Sequence, residues 1–97
     1  MKEFHDEMLE QHIERYEQDL NETMINVGSF CKHYRINVLN KTRKQIAKNI
    51  SEQTLYHFEH GNSTNMLHYV RYYRACDTVD QQLDFIKGVH EIMDHLG

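Results

Sequence analysis

The chain has 97 residues, room for one domain, with no proline and only four glycines, which favours helices over a turn-rich β architecture. Its formal charge is −4, 27% of its residues are charged and no long apolar run interrupts them, which excludes a membrane-spanning helix, gives no sign of a secretory leader and makes a cytoplasmic protein the expectation. The charge is segregated: residues 1–22 hold two basic and eight acidic side chains, residues 23–76 eight basic and two acidic, and residues 77–97 one basic and five acidic.

Residues 1–24 predict an acidic amphipathic helix, over about 3–22. Leu9, Ile13, Tyr16, Leu20 and Met24 follow one another at steps of three and four and share a face. Residues 25–37 predict a second helix with Ile25, Phe30 and Tyr34 inward, and Asn37 to Asn40 read as a loop. Thr42 and Gln45 form a capping box that opens a third helix, with Ile46 and Ala47 inward. Asn49 to Ser51 reads as a tight turn. Ser51 then caps a fourth helix over 52–60, with Leu55 and Phe58 inward, and Gly61 ends it. A polar loop, Asn62 to Asn65, precedes a fifth helix with Leu67, Val70 and Tyr73 inward. Thr78 and Gln81 offer another capping box, opening a last helix over 79–96. Its stripe of Val79, Gln82, Ile86, Val89, Met93 and Leu96, with Phe85 and Ile92 beside it, is wider than one neighbouring helix needs. The expectation is a single all-α domain of five or six helices, with a core over 25–76 and amphipathic helices in 1–24 and 77–97.

The segment 42-TRKQIAKNISEQTLYHFEHG-61 supplies two short helices around a tight turn. That is what a module needs to lay one helix in the DNA major groove while another crosses the backbone. It resembles the lambda-repressor-like helix-turn-helix DNA-binding proteins, including the Rgg-type regulators. The positions that carry the resemblance are Thr42, Ile46, Ala47, Ile50, Ser51, Thr54, Leu55, Phe58, Glu59 and Gly61, and it runs on through Leu67, Val70 and Tyr73. The turn after Ala47 is one or two residues shorter than the family's and lacks its common glycine; the loop near Asn65 lacks the family's frequent proline.

The resemblance implies a fold and a set of roles. The fold is a lambda-repressor-like helix-turn-helix bundle with extra terminal helices. Glu52, Gln53, Thr54, Tyr56 and His57 are then the side chains aimed at base edges, since glutamine pairs with adenine and glutamate accepts from the cytosine amino group. Lys41, Thr42, Arg43, Lys44, Lys48, Asn62 and Ser63 are then the phosphate contacts, which hold register and supply affinity. The partner is double-stranded DNA, and the function is that of a small sequence-specific transcription regulator, a phage or bacterial repressor. Phe85, Ile86, Val89 and Met93 are expected to form a homodimer that spaces two reading helices about one DNA turn apart. The alternative is a protein–protein module on the same scaffold, binding RNA polymerase or another regulator, or mimicking DNA through its acidic face.

Other chemistry finds little support in the residues. Cys31 and Cys76 lie far apart and read as reduced thiols. His57 and His60 are three apart, but no further ligand is placed to complete a metal site. Tyr56, Tyr69, Tyr72 and Tyr73, with Phe58, read as packing residues. There is no phosphate-cradling glycine loop, no G-x-S-x-G elbow and no HExxH, so no catalysis and no cofactor are expected.

Overall fold

The computed structural model describes residues 18, 20–63 and 65–94, which are helical or connecting, with no strand among them. Residues 20–34 form helix α1, which runs into a π turn, Arg35–Leu39. Helices α2 (Arg43–Ala47), α3 (Glu52–Glu59), α4 (Tyr69–Ala75) and α5 (Val79–Asp94) follow, and a 3-10 turn, Met66–His68, leads into α4. Helix α2 packs on α3 and α4, and α4 packs on α5.

The expected joint between a first and a second helix near residues 22–25 is absent. No glycine or proline stands there to break the backbone, and α1 continues through Met24, which is buried. Leu9, Ile13 and Tyr16 lie outside the described residues. The inward face of α1 is Met24, Val27, Cys31 and Tyr34, with Phe30 packed against them. Ile25, expected inward, is exposed because it is one residue out of phase with that stripe. The expected loop at Asn37 to Asn40 is also shorter than anticipated. Burial of Leu39 extends the helical turn, and Asn40 ends it at φ 54°, a left-handed conformation that asparagine tolerates. Its backbone N–H closes on the Arg35 carbonyl.

The local signals of the next two helices are realised as expected. The Thr42 hydroxyl accepts from the Gln45 N–H at 3.3 Å, and the Gln45 amide oxygen accepts from the Thr42 N–H at 2.8 Å. Ile46 and Ala47 are buried. The chain then reverses over Lys48 to Ile50, with Lys48 at φ 52° and ψ −90°, a conformation that L residues rarely adopt. The Ser51 hydroxyl accepts from the Thr54 N–H at 3.2 Å, a cap of the kind that contributes about 1 kcal/mol. Leu55 and Phe58 are fully buried, and Gly61 closes α3 at φ 75°.

Helices α4 and α5 keep the expected phase only in part. Tyr72 is the buried residue of α4, with Tyr69 and Tyr73 packed against the core. Leu67, expected inward, is 72% exposed and belongs to the preceding 3-10 turn. In α5 the core face is Phe85 and Val89, with Ile92 beside them. The Phe85 ring lies 5.3 Å from that of Tyr34 and 5.6 Å from that of Phe30. Phe85 and Val89 are therefore corrected from the expected dimer surface to the core of their own chain. Val79, Leu83 and Met93 remain exposed, and Ile86 is half-buried. Leu96 lies outside the described residues. Thr78 caps the Gln81 N–H at 3.1 Å, while the Gln81 side chain returns to the Asp77 N–H at 2.8 Å rather than to Thr78.

Candidate nucleic-acid interface

The geometry of α3 is set from beneath by one buried carboxylate. Leu55, Phe58 and Glu59 share the inner face of α3, so the helix carries Glu59 into the core with its hydrophobic neighbours. A buried charge there requires partners. Arg35 supplies two, with Nε 2.8 Å from Oε2 and Nη2 3.2 Å from Oε1. Arg43 Nε donates to Oε1 at 2.8 Å, and the Tyr72 hydroxyl donates to Oε2 at 2.9 Å. The Glu59 side chain is wholly buried, that of Arg35 nearly so, and that of Arg43 partly open. Burial alone would push the Glu59 carboxyl up. The hydrogen bonds from Arg35, Arg43 and Tyr72 outweigh it and hold the group below the ordinary glutamate value. Burial, and then the Glu59 charge, push the Tyr72 hydroxyl and the Cys31 thiol up, so both stay protonated at neutral pH. One carboxylate thus joins α3 to the end of α1, to α2 and to α4.

Above this network lies the outer face of α3. Glu52, Gln53, Tyr56, His57 and His60 are exposed, and Thr54 is half-buried with its hydroxyl 2.7 Å from that of Ser51. The Tyr56 ring stacks on His60 with centroids 4.0 Å apart, and the Arg43 guanidinium lies 5.1 Å from the Tyr56 centroid. Arg43 therefore connects the buried carboxylate to the surface of α3. The expectation is a phosphate clamp; in the structure its Nε is committed to Glu59, and its guanidinium makes no other hydrogen bond among the described residues.

The other expected phosphate contacts divide. Lys44, Lys48 and Asn62 are exposed, and Ser63 is half-buried with its hydroxyl accepting the Asn65 N–H at 3.2 Å. The Thr42 hydroxyl is engaged in its cap. Lys41 is tied elsewhere: its ammonium donates to the Ala75 carbonyl and meets Asp77 Oδ1 at 3.0 Å, bracing the end of α4. Arg71, not singled out in the sequence, reaches the Ala47 carbonyl at 3.4 Å and Asn49 Oδ1 at 3.2 Å, holding the turn between α2 and α3. The Glu59 network was also missed. Its signal was present: a glutamate four residues after the inward Leu55 falls on the inner face of the helix.

Cys31 is buried and Cys76 half-buried, both as free thiols. Among the described residues no three His, Cys, Asp or Glu side chains gather as metal ligands, and no helix is long and apolar enough to cross a membrane. No family model, no curated protein and no solved structure matches the chain.

Proposed function

We propose that the chain is a sequence-specific, double-stranded-DNA-binding transcription regulator of lambda-repressor-like type that acts as a homodimer. The observation that carries this reading is the outer face of α3. It is polar, capped at Ser51, and held by Glu59 beside the cationic Arg43, with Lys44 and Lys48 exposed in α2 and the turn that follows it. Gln53 and His57 are the principal base readers, with Glu52, Thr54 and Tyr56 beside them. Lys44, Lys48, Asn62 and the free edge of Arg43 contact phosphates.

The test is fluorescence anisotropy of the full chain on duplex DNA from upstream of its own gene, against a scrambled duplex, over a salt series. Gln53→Ala with His57→Ala should weaken specific binding roughly tenfold or more and leave binding to the scrambled duplex unchanged. Affinity should fall log-linearly with salt, with a slope set by about 4–8 phosphates per dimer. Absence of binding at low salt, or equal binding to both duplexes, overturns the reading.

The dimer is assigned to the outer stripe of α5, where Val79, Leu83, Ile86 and Met93 follow one another at steps of four, three and seven. Leu83→Asp with Met93→Asp changes two exposed positions and should halve the mass measured by light scattering while leaving the helical circular dichroism intact. An unchanged mass rules out α5 as the contact.

A further inference from the structure

A groove of about 670 Å³ opens between the end of α2 and the segment from Asn65 to α4. Its lining among the described residues includes Lys48, Arg71 and Arg74 and no carboxylate, on a chain whose net charge is −4. The apolar part of the lining is Ile46, Leu67 and Val70. Lys48 and Arg74 are exposed, and Leu67 is, among the described residues, the most exposed large hydrophobic one, at 72%. Arg71 is oriented by the Ala47 carbonyl and Asn49, so its charge is fixed at the groove wall.

Each component narrows the occupant. Three cations, with no carboxylate beside them among the described residues, select an anionic partner. An exposed leucine set beside buried Ile46 and half-buried Val70 selects a partner with apolar side chains of its own, because a phosphodiester backbone has no apolar surface to lay on Leu67. Acidic residues on one side and apolar residues at steps of three and four on the other are the properties of an amphipathic helix, which docks by setting its apolar side chains into such a groove. We propose that the groove formed by Ile46, Leu67 and Val70 and rimmed by Lys48, Arg71 and Arg74 is a docking site for an acidic amphipathic helix of a partner protein. It lies apart from the exposed side chains of α3 that the DNA reading uses for base contacts. The two readings share only Lys48, so the test leaves Lys48 untouched.

The probe is a fluorescein-labelled peptide of about 14 residues with leucines at steps of three and four and glutamate or aspartate elsewhere. A control peptide has the leucines replaced by serine at the same charge. Both are titrated with the full chain and with the Leu67→Ser/Arg74→Glu variant, whose two positions are exposed and whose unfolding midpoint is measured alongside. The proposal requires that the wild-type chain bind the leucine peptide, that the variant bind it roughly tenfold more weakly or worse, and that the serine peptide lose a similar factor. It is overturned by no binding to the wild-type chain at low salt, by equal binding of leucine and serine peptides, which would reduce the contact to charge alone, or by an unaffected variant. Displacement of the peptide by duplex DNA as efficiently as by unlabelled peptide also overturns it, because the groove would then be part of a nucleic-acid surface.

Discussion

Glu59→Ala should destabilise the protein by about 3–5 kcal/mol, because it removes one partner of a buried ion pair and leaves the other without compensation. Arg35 is the residue stranded. Its side chain is 8% exposed, and besides Glu59 its guanidinium has only the Lys41 carbonyl, at 3.0 Å, among its described hydrogen bonds. The Tyr72 hydroxyl loses its acceptor in the same step. Glu59→Gln is the milder change: one side-chain oxygen can still accept, but the charge that answers Arg35 and Arg43 is gone. Urea unfolding followed at 222 nm reads both. A Glu59→Ala protein within about 1 kcal/mol of wild type would mean that the carboxylate is not the junction described here, since surface pairs are worth that little.

The same carboxylate fixes a pH dependence. Its folded value lies below the ordinary glutamate value of about 4.3, so the unfolded chain takes up its proton first as pH falls. The stability it contributes is fully present above that ordinary value and is lost as pH drops through the folded one. The wild-type chain should therefore lose stability below about pH 4.3, and Glu59→Gln should be less stable at neutral pH with a shallower acid limb. Parallel acid limbs for the two proteins would contradict the assignment. Through Arg43, whose guanidinium both bonds Glu59 and lies against Tyr56, the loss should also reach the outer face of α3.

The parts of the fold legible from the residues were those governed by short-range chemistry. The caps at Thr42, Ser51 and Thr78 and the stop at Gly61 act within one helical turn, and each is realised. Once those ends and the inward pair Leu55 and Phe58 are known, the exposed positions of α3 follow from helical period alone. The missed features depend on residues distant in sequence. Leu67 is apolar enough to face inward, yet it falls in the 3-10 turn before α4 and is exposed, while Tyr72, read as a packing residue, is buried with its hydroxyl on Glu59. Phe85 is expected on the dimer surface, yet Phe30 and Tyr34 from α1 cover it. Lys41 and Lys44 look alike locally. Only the return of the chain at Ala75 and Asp77 ties down the first and leaves the second exposed.

Gly28→Ala should cost about 3 kcal/mol, the upper part of the range for overpacking. In an ordinary helix interior the sign would be opposite, since alanine there is favoured over glycine by roughly 0.5–1 kcal/mol. At Gly28 a Cβ would stand 2.2 Å from the Phe58 carbonyl oxygen and 2.9 Å from the carbonyl carbon of Glu59. Those atoms are backbone, so no rotamer change relieves the overlap and α1 and α3 must separate. Gly88 makes the contrast: its Cβ would meet the Phe30 ring at 2.3 Å, an aromatic side chain that can turn, so Gly88→Ala should cost less. Because the atoms displaced by Gly28→Ala lead directly into Glu59, the separation should also lengthen the Arg35–Glu59 bonds. A cycle of Gly28→Ala with Glu59→Gln should then be non-additive, the double variant losing less than the sum of the two single losses. Additive losses would mean that α3 can shift as a body without disturbing its buried carboxylate. A Gly28→Ala protein as stable as wild type would show that the close approach of α1 and α3 is not required.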